Sequence, residues 1–161
     1  MRASLCLVVL TLAAAACGET DVDAAGDYSI ALTNRDNGCE FTDWTEGNTS
    51  QNIPFVITQD GSEVTGTVEG LSGTFLALWL GTNVFHGEVG GSSIEMTAFG
   101  TRSLAQGNCA YTINATVDAS LDGDLLEGSI VYTAATNGNP DCSTLDGCES
   151  TQDFNGTRPP Q

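Results

Sequence analysis

The chain has 161 residues, 40% of them hydrophobic, with 21 acidic side chains against four arginines, one histidine and no lysine, for a formal net charge of -17. So acidic a surface repels phosphate backbones and anionic head groups, which excludes nucleic acid as a partner, and the missing lysine excludes Schiff-base and Ser-Lys chemistry. The length suits one domain with a real core rather than two.

Met1-Arg2 gives a short basic start, and residues 5–16 form an apolar run broken only by Thr11. The run is too short to hold a chain across a bilayer, so residues 1–16 read as a signal peptide. Ala14-Ala15-Ala16-Cys17 closes it with small residues before a cysteine. This tetrapeptide resembles the lipobox of bacterial lipoproteins, which implies that Cys17 is acylated, with palmitate-like chains, and becomes the mature N-terminus. Lipoboxes usually carry Leu where this chain has Ala14, and an ordinary signal peptidase could cut the same bond. Cysteine arithmetic fits lipidation. Cys6 leaves with the signal, and acylated Cys17 leaves Cys39, Cys109, Cys142 and Cys148, an even set for disulfide bonds in an oxidising compartment. Four cysteines allow three pairings; closeness in sequence favours Cys142 with Cys148 and Cys39 with Cys109. In lipoproteins, Gly18 rather than Asp after the acylated cysteine implies the outer membrane. Residues 17–26 are acidic and aperiodic, so they read as a lipidated, flexible tether ahead of a domain at 27–161.

Tyr28, Ile30 and Leu32 alternate with Ser29, Ala31 and Thr33 as a first strand, and Cys39 fastens the turn-rich stretch that follows. Residues 41–52 read as a long loop whose Trp44 covers an open end of the core. Ile53, Phe55 and Ile57 lead through Asp60-Gly61 to Val64, Gly66 and Val68. Residues 74–80, 84–89 and 93–99 give three further strands, and helical periodicity is expected nowhere. The clearest pattern starts at Cys109, where Tyr111, Ile113, Ala115, Val117, Ala119 and Leu121 alternate with polar or small residues. Asp122-Gly123 then suggests a type I′ turn into Leu126, Gly128, Ile130 and Tyr132. A two-residue turn there sets Ala119 opposite Leu126, Val117 opposite Gly128, Ala115 opposite Ile130 and Ile113 opposite Tyr132. By the same rule Phe55 falls opposite Gly66. Both hairpins carry the pattern D-G-x-x-[VL]-x-G-[ST]-[VI]. A short strand near Phe154 ends the series.

About nine short strands at hairpin spacing predict an all-β domain, a single antiparallel meander barrel, with a β-sandwich as the alternative. Glycines where strands must bend favour the barrel. Over residues 28–158 this rhythm of strands and turns resembles the lipocalin and avidin group of barrels, the calycins. Their Gly-x-Trp opening is missing, and no biotin-type site maps onto this chain. With the lipobox, the chain resembles the small β-rich lipoproteins of Gram-negative bacteria.

Catalytic signals are missing: one histidine, His86, on the solvent side of its strand; no G-x-S-x-G elbow; no C-x2-C pair for zinc. The chain is therefore expected not to be an enzyme. The inferred register sets Asp118 opposite Glu127 with Asp122 and Asp124 at the turn, a candidate calcium site and otherwise a screened acidic surface. Residues 74–80, Thr-Phe-Leu-Ala-Leu-Trp-Leu, are apolar on both faces of the expected strand. If Phe75, Ala77 and Trp79 face the core, Leu76, Leu78 and Leu80 face outward and invite a cover. The expected role is a binding domain on the outer membrane that takes a small apolar ligand into a barrel mouth. The alternative is an envelope structural or interaction protein that docks a protein partner through residues 74–80. An enclosed apolar cavity of roughly a few hundred Å³ favours the ligand, and a filled interior with an apolar patch outside favours the partner.

Overall fold

Alternation of apolar and polar side chains becomes strand along most of the chain in the computed structural model, which describes residues 21–160. The expected signal peptide, residues 1–16, and Cys17 lie outside those residues. The elements are β1 (Gly26–Asn37), β2 (Thr49–Asp60), β3 (Glu63–Val68), the helix α1 (Gly70–Leu80), β4 (Val84–Gly90), β5 (Ser93–Ala98), β6 (Leu104–Gln106), β7 (Cys109–Asp122), β8 (Leu125–Thr136), a 3-10 turn (Pro140–Leu145) and β9 (Glu149–Thr157). Each long strand pairs antiparallel with the next. β5 pairs with β7, and β9 returns to β1, so eight strands close into a meander barrel and the sandwich is ruled out. The short β6 continues the edge of β7 beyond β5, pairing Leu104 with Tyr111. Along the strands every second residue points inward: Ile53, Phe55 and Ile57 on β2, Ile94, Met96 and Ala98 on β5, and Ile113, Ala115 and Val117 on β7 are all buried.

The two ends of the barrel differ. At one end β2–β3, β4–β5 and β7–β8 are joined by two-residue turns, Gly61-Ser62, Gly91-Ser92 and Gly123-Asp124. In each the glycine leads with φ near +60° and the next residue keeps a negative φ. That is the type II′ arrangement, whereas a type I′ turn over Asp-Gly would also have required positive φ at the aspartate. Both hairpins are therefore shifted by two residues from the expected register. Ala119 meets Gly128, Val117 meets Ile130, Ala115 meets Tyr132 and Ile113 meets Ala134, while Gly66 meets Ile57. A shift of two preserves which face each side chain occupies, so the core is unchanged.

Residues 74–80 are not a strand but most of α1, and here the expectation fails. A run that is apolar at every position from Phe75 to Leu80 has no period to read, and only its length and residue types decide. Eleven residues with four Leu and neither Val nor Ile suit a helix better than a strand. Gly70 at φ +64° and Gly81 at φ +88° bracket it, and Gly81 N donates to Ala77 O at 2.9 Å as a left-handed C-terminal cap. The helix lies between β3 and β4 at the end opposite the tight turns. Asn83 Nδ2 donates to Val68 O at 2.7 Å, and the Thr101 and Arg102 amides both donate to Leu80 O. Gly73 is pressed against β3: a Cβ there would stand 2.1 Å from Val68 O.

The expected disulfides are also corrected. Cys39 bonds Cys148 and Cys109 bonds Cys142. Antiparallel pairing of β1 with β9, with Asn37 opposite Ser150, brings the residues just beyond each strand together. Gly38 N donates to Glu149 O at 2.9 Å, which sets Cys39 beside Cys148. Asp141 accepts from both nitrogens of Asn108, which holds Cys142 beside Cys109.

Residues 21–25, expected to belong to a flexible tether, are instead bound to the tight-turn end. Asp21 Oδ1 accepts from Gly91 N, and Val22 N donates to Gly91 O. Gln59 bridges the segment, donating from Nε2 to Val22 O and accepting from Ala24 N. Ala24 is fully buried, and Tyr28 Oη donates to its carbonyl. Arg158 completes the clamp by donating from Nη1 to Ala25 O, pairing with Asp124 at 3.0 Å and lying over the Tyr28 ring.

Candidate functional site: an apolar cavity beneath a helix

All the long connections gather at the end of the barrel opposite the tight turns. There α1, the Trp44 loop and the 3-10 turn close the mouth. Beneath α1 lies a cavity of about 70 Å³. Ser72 and Leu76 form its roof from the helix. Its walls come from Ile30 and Leu32 on β1, Phe55 on β2, Phe85 on β4, Val117 on β7, Tyr132 on β8 and Phe154 on β9. The helix reaches it because residues 72, 76, 79 and 80 fall within one arc at 100° per residue, facing the barrel. An apolar cavity of about 150 Å³ stays dry and takes benzene. This one, about half that size, has room for a few carbon atoms and is smaller than the cavity expected for a ligand site.

Trp79, on the same arc, joins the roof to the surrounding loops. Its ring meets Phe41 edge-on at 4.9 Å between centroids and Tyr132 at 5.2 Å, and Trp44 meets Tyr132 at 6.0 Å. Trp44 therefore covers the open end of the core as expected, held by its Nε1 donating to Arg35 O at 2.8 Å. The one polar group of Tyr132 is engaged. Its hydroxyl donates to Gln152 Oε1 at 2.8 Å, and Gln152 Nε2 donates to Asn34 Oδ1 at 2.7 Å. Burial pushes the Tyr132 phenol well above its ordinary pKa, so it stays neutral and is no general base. Both disulfides and Leu145 pack in a second cluster beside this mouth, against Phe41 and Tyr111. The rim is thus fixed covalently at two points.

The candidate calcium ligands are not brought together. The shifted turn pairs Asp118 with Ser129 and Glu127 with Ser120, and Asp124 is committed to Arg158. Among the described residues no three His, Cys, Asp or Glu side chains converge as a metal site. His86 is exposed, its Nδ1 3.3 Å from Thr65 Oγ1, as expected of a solvated strand residue. Of the three leucines expected on an outer face, Leu80 is fully buried, Leu76 roofs the cavity and only Leu78 is exposed. Phe75, expected to face the core, is exposed and completes the outer face with Leu78 and with Leu71, which was missed. Gly70 and Gly81, bracketing ten residues, were the available signal.

No protein-family model matches the sequence, and no curated protein matches it. Among solved structures, one described as EF1p2_mFAP2b bound to DFHBI aligns at a TM-score of 0.46 and 12% identity, over 84% of this chain and 93% of its own.

Proposed function

We propose that this chain is an outer-membrane lipoprotein, acylated at Cys17, whose barrel binds a small apolar ligand beneath α1 and performs no catalysis. The observation that carries the ligand reading is the cavity itself: an apolar space in the middle of the barrel, roofed by a helix and not by the sheet. A filled barrel needs no such roof, because its strands already bury their inner side chains against one another. The present volume suits a short apolar group or the end of an alkyl chain, and a bulkier ligand requires α1 to lift. The anchoring reading is supported by Ala14-Ala15-Ala16-Cys17 and by the pairing of all four cysteines of the domain, which leaves Cys17 over.

Two measurements test these parts separately. Metabolic labelling with a fatty acid should mark the wild type and not Cys17→Ser, which should be released in soluble form; an unlabelled wild type overturns the anchor. Xenon under pressure, a probe small enough for the cavity, should raise the Tm of the wild type, and Leu76→Trp, which fills the space, should abolish the rise. If xenon leaves the wild-type Tm unchanged, the ligand reading fails. Native mass spectrometry of protein taken from the cell envelope would then identify the physiological ligand.

A further inference from the structure

The roof of the cavity has a second face. Leu71, Phe75 and Leu78 are 79%, 68% and 56% exposed. Their spacing of four and three places them in one narrow stripe, turned away from Ser72 and Leu76. Exposed Phe99 lies at the same end of the barrel, two residues before Thr101, whose amide binds the carboxyl end of the helix. From Gly70 to Phe85 the chain carries no charged side chain. The loops and strand ends at this end of the barrel do. Asp36, Glu40, Asp43, Glu46, Glu69, Asp141, Asp146 and Glu149 are all exposed at this end, against Arg35, which is paired with Asp153, and Arg102. An apolar stripe inside an acidic rim is complementary to one kind of surface, apolar in the middle and basic at its margins.

We infer that the outer face of α1 docks a protein segment of that chemistry, such as a helix with one leucine-rich face flanked by Lys and Arg. A second copy of this chain is a poor occupant, because it would bring the same acidic rim against its own kind. The N-terminus is a poor occupant too. Residues 21–25 are clamped at the far end of the barrel, and strands of 12 residues run roughly 40 Å, or roughly 30 Å along the axis of a tilted barrel. Four residues from Cys17 reach about 14 Å. This reach applies to a chain cleaved before Cys17, as proposed above, and the intact mass of the purified protein reports that cleavage independently. The same geometry points the stripe away from the membrane that holds the anchor.

The test uses the Cys17→Ser chain, which has no thiol at position 17 to acylate, and a Leu/Lys amphipathic helical peptide beside its Leu/Glu counterpart. The Lys peptide should bind and weaken with added salt, and the Glu peptide should not bind. Leu71→Gln with Phe75→Gln should weaken Lys-peptide binding by at least about tenfold with an unchanged Tm, since Gln keeps the helix propensity and removes only the apolar surface. Equal binding by the double variant would show mere charge attraction and overturn the proposal. So would equal binding of the two peptides. Self-association of the parent chain that the double variant loses would assign the stripe to a second copy, and binding of neutral lipid vesicles lost in the same way would assign it to a bilayer. A lower Tm in the double variant would show the stripe already packed within the chain. Each of these three outcomes also overturns the proposal.

Discussion

The ring of Phe55 lies over Gly66, diagonally across the β2–β3 pair, so closely that a Cβ on Gly66 would stand 2.5 Å from Phe55 Cζ and 3.0 Å from Met96 Sδ. Phe55 is also a wall of the cavity, so the missing side chain at position 66 is what lets the ring settle there. Gly66→Ala should push the ring toward the empty space. The expected cost is about 1–3 kcal/mol of overpacking, offset in part by the lower chain entropy of alanine. A urea midpoint that falls, together with a weakened xenon response, is the expected outcome; a stabilised variant with full xenon response would show that the ring yields freely.

The two disulfides should differ in what they contribute. Cys39–Cys148 closes 109 residues and Cys109–Cys142 closes 33. On the loop-entropy account the first contributes about 4.8 kcal/mol and the second about 3.7 kcal/mol. Replacing Cys39 and Cys148 together with Ala should therefore cost about 1 kcal/mol more than replacing Cys109 and Cys142. Chemical denaturation of the two double variants decides the order.

Arg158 holds the N-terminal segment against the barrel. Its side chain is 9% exposed, and it joins Ala25, Asp124 and the face of Tyr28. Arg158→Met keeps much of the apolar stem and removes the charge-assisted bonds, at an expected cost of about 1.5–3 kcal/mol. Hydrogen exchange should show the amides of Val22 and Ala24 losing protection before the strands do. Protection that stays unchanged would mean that Gln59 suffices as the clamp.

Stability should fall in alkali. Burial raises the phenol pKa of Tyr132 and, chiefly by the same cause, that of Tyr28, although Arg158 works against the latter. A group whose folded pKa lies above its unfolded value stabilises the fold below the unfolded pKa and ceases to as pH rises. Above about pH 10 the unfolded tyrosines ionise while the folded ones resist, so each costs up to about 1.4 kcal/mol per pH unit. Tyr132→Phe should flatten this slope while lowering stability near neutrality, because Gln152 Oε1 loses its donor. An equally steep alkaline slope in the variant would place the titration elsewhere.

Strands were legible because period 2 is written in side chains such as Ile113, Ala115 and Val117, and the barrel followed from hairpins spaced for a meander. The register was legible only modulo two. Asp122-Gly123 and Gly123-Asp124 are both fair turns, and alternation alone cannot choose between them. The helix was not legible from periodicity, since a stretch apolar at every position supports any period. Disulfide pairing depends on which loops share an end of the barrel, which cysteine spacing does not encode. The cavity depends on what the side chains of Leu76, Phe55 and Phe154 leave unfilled, a property of packing and not of pattern. The candidate calcium ligands inherited the error in register and dispersed once the turn was placed.

The pairing of β1 with β9 has a consequence for the order of assembly. A meander can zip hairpin by hairpin as the chain emerges, but this ring has no seam partner for β1 until the final strand is present. Until then two sheet edges stand open, and Cys39 has no native partner within its reach. Oxidation before release of the C-terminus would favour Cys39 with Cys109, a bond the finished barrel does not contain. Correct assembly therefore waits on Glu149–Thr157, so a chain truncated before β9 should be an aggregation-prone open sheet and not a smaller barrel.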